Sequence, residues 1–185
     1  SIEYGKLKSP QIENKNNKQS TYSVYGKAKL LSTKFLIDLN KKNNFPSSII
    51  RLYLVYGPMQ DPNRVIPITI INAIQNKKFD CSDGLQFRDF TYIDDVVDAT
   101  FLGLKITDKI NTVFNVGSGK RTSVLNVAKT LEKHYEHDVN INISGRYRIG
   151  DIRHNFADIS KIAKIGFSPK VSFTKGLEKF SNWVK

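Results

Sequence analysis

Residues 48–56, SIIRLYLVY, constrain the fold more than any other part of the sequence. They are mainly β-branched, aromatic or long apolar residues with little polar alternation, and Gly57 and Pro58 end the run. A short apolar run of this kind is typical of a strand covered on both faces, as in a parallel sheet. The sequence therefore predicts an α/β protein with this strand inside the sheet.

A helix is predicted immediately before this strand, over residues 22–40. Apolar residues recur in it with helical spacing, which predicts one buried stripe made of Val24, Ala28, Leu31, Phe35 and Leu39. Beyond residue 58 the elements become shorter and mixed, which indicates a smaller α+β lobe. We expect helices there at residues 66–75, 94–104, 123–135 and 175–184, and strands near residues 79–90, 111–116 and 140–144. Asp94 or Asp95 is the expected cap of the second of these helices.

Composition excludes several classes of protein. The single cysteine, Cys81, excludes a disulfide framework and a multi-cysteine zinc site, and no other metal-ligand cluster is apparent. The apolar runs are shorter than the roughly 18 residues of a membrane span. We therefore expect a cytoplasmic protein with no metal and no membrane partner.

The formal net charge of +12 would suit an acidic partner such as nucleic acid. The lysines are scattered, however, and are not concentrated on one stripe with stacking aromatic residues. This pattern favours a solvated lysine-rich surface and no nucleic-acid partner. A basic, non-catalytic nucleic-acid-binding module stays open as the less favoured alternative.

Tyr25 and Lys29 are four residues apart in the string YSVYGKAK of the predicted helix. This spacing places both side chains on one helix face, so the lysine ammonium can lie near the phenol. A nearby cation favours the phenolate and makes tyrosine a usable acid/base. The structural alternative for such a pair is an exposed lysine lying over a packed ring.

Six strings resemble one family in the same order along the chain. They are SIEYG at residues 1–5, YGKAK at 25–29, RLYLVYGP at 51–58, GLQFRDFTYIDDVVDA at 84–99, FNVGSG at 114–119 and RYRIGDIRHNFADISK at 146–161. Together they resemble the extended short-chain dehydrogenase/reductases, and among these the NAD-dependent epimerase/dehydratase family that acts on nucleotide sugars. The resemblance covers essentially the whole chain.

The resemblance implies a Rossmann-type, doubly wound parallel sheet domain and a small α+β substrate-binding lobe. Residues 1–58 would be the C-terminal part of the cofactor domain and residues 59–185 mainly the lobe, with some segments returning to the cofactor domain. The family's Gly-rich cofactor loop is not in this sequence, so the chain would be a C-terminal portion that does not bind a dinucleotide alone. The implied whole enzyme is a homodimer that forms through the helix carrying Tyr25 and Lys29 and through the helix before it, and only the first of these helices would be in this sequence.

The resemblance also assigns roles toward the cofactor, NAD or NADP. Tyr25 would be the catalytic acid/base, and Lys29 would hold the nicotinamide ribose. Ser1 lies next to the position of the family's catalytic Ser or Thr and is at best an imperfect substitute. Tyr53 and Val55 belong to the strand that would line the cofactor pocket.

Four further residues are implied to contact a nucleotide-sugar substrate. Arg88 and Arg148 would clamp the diphosphate, because a guanidinium makes paired charged hydrogen bonds to phosphate. The structural alternative for each arginine is a surface ion pair, with Asp89 or Asp151. Tyr92 and Leu54 would contact the sugar, and Leu54 replaces an asparagine common in the family.

At two places the sequence departs from branches of the family, and these departures reduce the number of reactions that we expect. Ser1 and Ile2 stand where the dehydratases have Asp and Glu, and Ile2 and Arg64 stand where the GDP-sugar epimerase-reductases have Cys and His. Sugar 4-epimerisation or 4-ketone reduction, which serve polysaccharide biosynthesis, are the expected activities. A reductase acting on a non-nucleotide ketone is the enzymatic alternative.

Overall fold

The computed structural model describes residues 2–5, 7–13, 21, 23–106, 112–146 and 152–185. A short 3-10 helix, Ile2–Tyr4, comes first. The α-helices are α1 Val24–Asn43, α2 Val65–Ile74, α3 Ile93–Lys105, α4 Val124–Tyr135, α5 Ser160–Ala163 and α6 Phe173–Val184. The strands are β1 Ser48–Leu52, β2 Leu54–Tyr56, β3 Phe79–Cys81, β4 Phe87–Arg88, β5 Phe90–Tyr92, β6 Thr112–Val116, β7 Thr122–Ser123 and β8 Ile141–Ile143.

The predicted strand at residues 48–56 is divided at Tyr53 into two strands with different partners. β1 pairs in parallel with β6, and β2 pairs in parallel with β5. The Tyr53 N–H donates to the Val116 carbonyl at 3.1 Å, whereas the Leu54 N–H donates to the Asp89 carbonyl at 3.0 Å. The backbone thus exchanges one partner for another at this point, and the predicted α/β class with parallel pairing is confirmed.

Two apolar cores lie on either side of this exchange. The larger core packs β2 and β5 against α2, α4 and α6, around buried residues that include Tyr56, Ile70, Leu131 and Phe180. The second core packs α3, β6 and α5 around Phe114 and Ile162 and also contacts Ile50 of β1. Segments late in the chain therefore return to the sheet that β1 begins.

The predicted buried stripe of α1 is wrong, because most of that face lies in solvent. Leu31 is 65% exposed and Phe35 is 63% exposed. The face toward the protein instead carries the two buried residues of α1, Gly26 and Thr33. Thr33 Oγ1 donates to the Glu3 carboxylate, so a polar contact holds this helix to the rest of the described chain.

Smaller differences concern helix ends and short elements. α3 begins after Tyr92 without a side-chain cap, and the predicted cap residues Asp94 and Asp95 lie in its first turn. Asp95 accepts the backbone N–H groups of Lys170 and Val171 instead. None of the helices in the described part of the chain is long and apolar enough to cross a membrane.

Candidate functional site

Tyr25 lies in the first turn of α1, at a position set by the helix cap. Ser23 is the N-cap, and its Oγ accepts the Gly26 N–H at 3.0 Å. Lys29 lies one turn later, and its Nζ is 5.5 Å from the centroid of the Tyr25 ring. The ring is 60% exposed, so it is not packed into the core as the structural alternative requires. The pair therefore exposes a phenol and an ammonium side by side.

A cleft of about 380 Å³ contains both Leu54 and Arg88, two of the predicted substrate residues. Its apolar lining comes from Val65, Ile68, Phe79, Cys81 and Val124. Its polar lining comes from Asn63, Asp80, Ser82, Gln86 and a second cation, Arg146. Half of the lining residues are apolar and half are polar or charged, and a cleft that combines apolar walls with placed polar groups is suited to a small molecule.

Backbone carbonyls orient the guanidinium of Arg88. Its Nη1 donates to the Phe87 carbonyl at 3.0 Å and to the Arg153 carbonyl at 2.8 Å. The backbone beside it is held by pairing with β7 and by a bridge to Asn155. Arg88 is therefore pre-positioned, and a fixed guanidinium suits a phosphate oxygen pair.

Asp89 fixes the backbone next to Arg88. Its carboxylate is fully buried and accepts the Ser118 N–H and Oγ–H at 2.6 Å each, the Gly119 N–H at 3.1 Å and the Ala157 N–H at 3.3 Å. Burial raises the pKa of Asp89, and these hydrogen bonds oppose the rise. Asp89 thus joins three loops in the interior, and it is not the surface ion-pair partner considered for Arg88.

The other predicted site residues lie away from this cleft or outside the described residues. Tyr53 is buried, with a pKa raised by burial, and its hydroxyl donates to Gln11 Oε1 at 2.9 Å. The Val55 carbonyl accepts the side-chain amide of Gln60 at 2.8 Å. Tyr92 is buried in the larger core, where its ring lies 5.5 Å from that of Tyr56. Ser1 and Arg148 lie outside the described residues.

A buried ion pair connects the segment before α1 to β1. Arg51 Nη2 lies 2.8 Å from Glu3 Oε2, and Arg51 Nε donates to the same oxygen at 3.0 Å. The two side chains are 5% and 9% exposed. Since Thr33 of α1 donates to the same carboxylate, Glu3 links the helix carrying Tyr25 to β1.

The sequence by itself does not identify this pair. The available signal was Arg51, a charged residue inside an otherwise apolar strand, because a buried charge needs a partner. Nothing local indicates Glu3, which is 48 residues away. A second long-range contact was equally hidden: the Tyr4 hydroxyl donates to Asn115 Oδ1 at 2.7 Å.

Comparison with known proteins places these residues in a family. The profile of the NAD dependent epimerase/dehydratase family matches residues 1–117. Over 171 residues, the chain is 34% identical to dTDP-L-rhamnose 4-epimerase from Burkholderia thailandensis, which corresponds to 88% of this chain and 46% of that protein. The chain spans about half the length of the curated relatives it matches.

Solved structures agree with the sequence relatives. The UDP-N-acetylglucosamine 4-epimerase from Methanobrevibacter ruminantium, in complex with UDP-N-acetylmuramic acid, matches 100% of this chain with 60% of its own, at a TM-score of 0.91 and 27% identity. The UDP-glucuronic acid 4-epimerase from Bacillus cereus, in complex with UDP-glucuronic acid and NAD, matches 100% of this chain with 59% of its own, at a TM-score of 0.89 and 30% identity. Because the family profile covers more than half of the sequence and the fold agrees over its whole length, the chain belongs to the NAD-dependent epimerase/dehydratase family of extended short-chain dehydrogenase/reductases.

Proposed function

We propose that the whole protein is an NAD-dependent nucleotide-sugar 4-epimerase. This chain spans about half the length of its curated relatives, so the proposal concerns the whole protein. The observation that carries the proposal is the orientation of Arg88 by two backbone carbonyls at the wall of a cleft that also contains Leu54. Its solved relatives hold UDP-sugars, and Arg88 is a suitable ligand for their diphosphate. A nucleotide-sugar 4-ketoreductase would use the same residues, and it is the alternative activity within this proposal.

The residues present fit a nicotinamide cofactor. Lys29 and Tyr25 are both exposed at the start of α1, and an ammonium beside a phenol suits the hydroxyl groups of a ribose. These two residues would hold the nicotinamide ribose of NAD. NAD, when bound, supplies the hydride acceptor and donor for C4 of the sugar.

Tyr25 is the proposed acid/base of this reaction. Its phenolate would take the proton of the sugar 4-hydroxyl when C4 is oxidised, and the same phenol would return the proton when the ketone is reduced on its other face. Lys29, whose Nζ lies 5.5 Å from the centroid of the Tyr25 ring, would hold the ribose of the cofactor beside this phenol. Arg88 anchors the diphosphate, and Leu54 offers the sugar an apolar contact where the family commonly has an amide.

The two proposed domains follow one another along the chain. Residues 1–58 are assigned to the cofactor domain, and residues 59–185 mainly to the nucleotide-sugar lobe. The pairing of β1 with β6 and the packing of α3 and α5 beneath β6 support the return of these later segments to the cofactor domain. We assign the whole enzyme to polysaccharide biosynthesis in the cytoplasm.

Arg88→Ala in the whole enzyme is expected to weaken binding of UDP and dTDP. Loss of one partner from a buried charged contact costs about 2–5 kcal/mol, roughly 30- to 5,000-fold in Kd. Isothermal titration calorimetry measures this change. Lys175→Ala, which removes one exposed positive charge from α6, is the matched control and should leave Kd unchanged.

The same titration distinguishes an enzyme that acts on nucleotide sugars from a reductase that acts on a non-nucleotide ketone. If the intact wild-type protein binds neither nucleotide, the nucleotide-sugar proposal fails and reduction of a non-nucleotide ketone becomes the better reading. If both nucleotides bind and Arg88→Ala matches the control, Arg88 has a structural role only.

The whole enzyme is proposed to be a homodimer through the apolar face of α1. Val24, Leu31 and Phe35 are large apolar residues that this helix exposes. An exposed apolar face of this kind is typical of an interaction surface. The family resemblance assigns the dimer contact to the same helix.

Phe35→Glu is expected to shift the whole enzyme from dimer to monomer, because a carboxylate would be buried against the apolar face of the second subunit. Light scattering coupled to size-exclusion chromatography measures the mass. Lys41→Glu places a carboxylate in the last turn of the same helix, more than one helical turn beyond Phe35, and it should leave the dimer intact. A Phe35→Glu protein that stays dimeric would place the contact elsewhere.

A further inference from the structure

A second and larger cleft, of about 710 Å³, lies across β4 from the substrate cleft. Phe87 lines this second cleft, whereas the next residue, Arg88, lines the substrate cleft. Successive residues of a strand face opposite sides, so the two clefts are separate spaces that share one strand. Nothing in the proposed reaction uses the second cleft.

The charges around the second cleft are all positive among its described lining residues. Lys8, Arg121 and Arg153 line it, and no described lining residue is acidic. Arg153 is paired with Asp83 at 2.6 Å. Lys8 and Arg121 have no acidic partner in the part of the chain that the structure describes. Two uncompensated cations therefore face one cavity.

Aromatic rings form part of the same lining. The rings of Phe87 and His154 lie 5.2 Å apart, tilted by 33°, and the Arg121 guanidinium lies 5.1 Å from the Phe87 ring. The Phe87 N–H donates to His154 Nδ1 at 3.3 Å, which assigns the proton of a neutral imidazole to Nε2. His154 thus adds a neutral hydrogen-bond donor beside the two cations.

Hydrogen bonds hold the two walls of the cleft together. Ser9 Oγ donates to the His154 carbonyl at 3.0 Å and accepts the Phe156 N–H at 3.3 Å. The segment carrying Lys8 is consequently fixed to the segment carrying His154. The cleft is preformed, which lowers the entropic cost of binding.

We propose that this second cleft binds a phosphate monoester with an aromatic or apolar body. The two uncompensated cations, Lys8 and Arg121, balance the charge of about −1.5 to −2 that a phosphate monoester carries at neutral pH. The forked guanidinium suits phosphate oxygens, and the Phe87 and His154 rings suit the body of the ligand. The site is independent of the proposed sugar chemistry.

The test is a titration of phenyl phosphate into this chain, with and without UDP in saturating excess to occupy the substrate cleft. Arg88 is left in place, because its guanidinium donates to the carbonyls of Phe87 and Arg153, which line the second cleft. We expect saturable binding to one site by calorimetry. Adding Lys8→Ala or Arg121→Ala should weaken the Kd by roughly tenfold or more, the effect of losing one charge-assisted hydrogen bond. Lys120→Ala removes one exposed positive charge from the same loop without touching the cleft and should change Kd less than about twofold.

Three results would overturn the proposal. The first is no saturable binding of phenyl phosphate to the wild-type chain. The second is an equal loss of affinity in Lys8→Ala, Arg121→Ala and Lys120→Ala, because that pattern indicates diffuse surface charge. The third is binding that UDP abolishes while Lys8→Ala and Arg121→Ala leave it unchanged, because the ligand would then occupy the substrate cleft. Both cleft cations are exposed, so circular dichroism should show every variant folded.

Discussion

Replacing Tyr25 by phenylalanine in the whole enzyme is expected to lower kcat by about 10²- to 10⁴-fold, the usual contribution of a positioned acid/base. The substitution removes only the hydroxyl that exchanges a proton with the sugar 4-hydroxyl. The ring is largely exposed and Ser23 still caps α1, so the helix and the position of Lys29 should be unchanged. Steady-state kinetics with a nucleotide sugar measures the effect, and thermal unfolding checks that the protein is intact.

Tyr135→Phe is the matched control for this experiment. Its hydroxyl, at the end of α4, makes no hydrogen bond within the described structure. Removing that hydroxyl should leave kcat unchanged. If Tyr25→Phe turns over as fast as this control, Tyr25 is not the acid/base and the proposed mechanism fails.

Replacing Arg51 by methionine is expected to lower the free energy of unfolding by about 3–5 kcal/mol, the cost of leaving one partner of a buried ion pair alone. The Glu3 carboxylate would stay buried with the Thr33 hydroxyl as its remaining side-chain donor. Urea denaturation of this chain, followed by circular dichroism, measures the change. Adding Glu3→Gln to Arg51→Met should recover much of the loss, because the buried charge is then removed.

Arg153→Met is the control for the ion pair. It breaks the pair of Arg153 with Asp83, in which both side chains are well exposed, and such pairs contribute about 0–1 kcal/mol. Equal losses in Arg51→Met and Arg153→Met would show that burial of the Glu3–Arg51 pair has no energetic consequence. The link between α1 and β1 would then have to lie elsewhere.

Most of the regular elements could be predicted because their signals are local. The apolar run at residues 48–56 predicted a central strand, and helical spacing predicted α1, α2, α3, α4 and α6 close to their observed positions. β7 and α5 are only two and four residues long, too short for a periodic pattern to show. The division at Tyr53 could not be predicted either, because it depends on the pairing of β1 with β6 and of β2 with β5, and these partners are far away in the sequence.

The orientation of α1 shows what periodicity leaves open. The spacing of Leu31 and Phe35 correctly indicates a helix, but it does not say what covers its apolar residues. In this chain the covered face is the polar one, where Thr33 meets Glu3. Apolar spacing predicts that one face of a helix is buried, but it does not distinguish burial against the core of the same chain from burial against a second subunit.

The candidate site was predictable to the extent that its motifs are contiguous. The string containing Arg88 and the string containing Leu54 indicated a shared substrate site, and both residues line one cleft. The family resemblance is confirmed by the family profile and by the solved relatives. The Glu3–Arg51 pair and the contacts of Asp89 join residues far apart in sequence. The charge of Arg51 inside an apolar strand indicates that it needs a partner, but nothing in the sequence indicates which residue that partner is.

The most direct test of the central claim is a proton NMR measurement of 4-epimerisation by the whole protein with NAD in deuterated water. The substrates are UDP-glucuronic acid, UDP-N-acetylglucosamine and dTDP-L-rhamnose, the sugars or sugar types named for the relatives. We expect the C4 epimer of at least one substrate to form with its C4 hydrogen retained, because a hydride that leaves and returns does not exchange with solvent. Folded protein that binds UDP yet forms no epimer from any of them, or an epimer carrying deuterium at C4, would contradict the account.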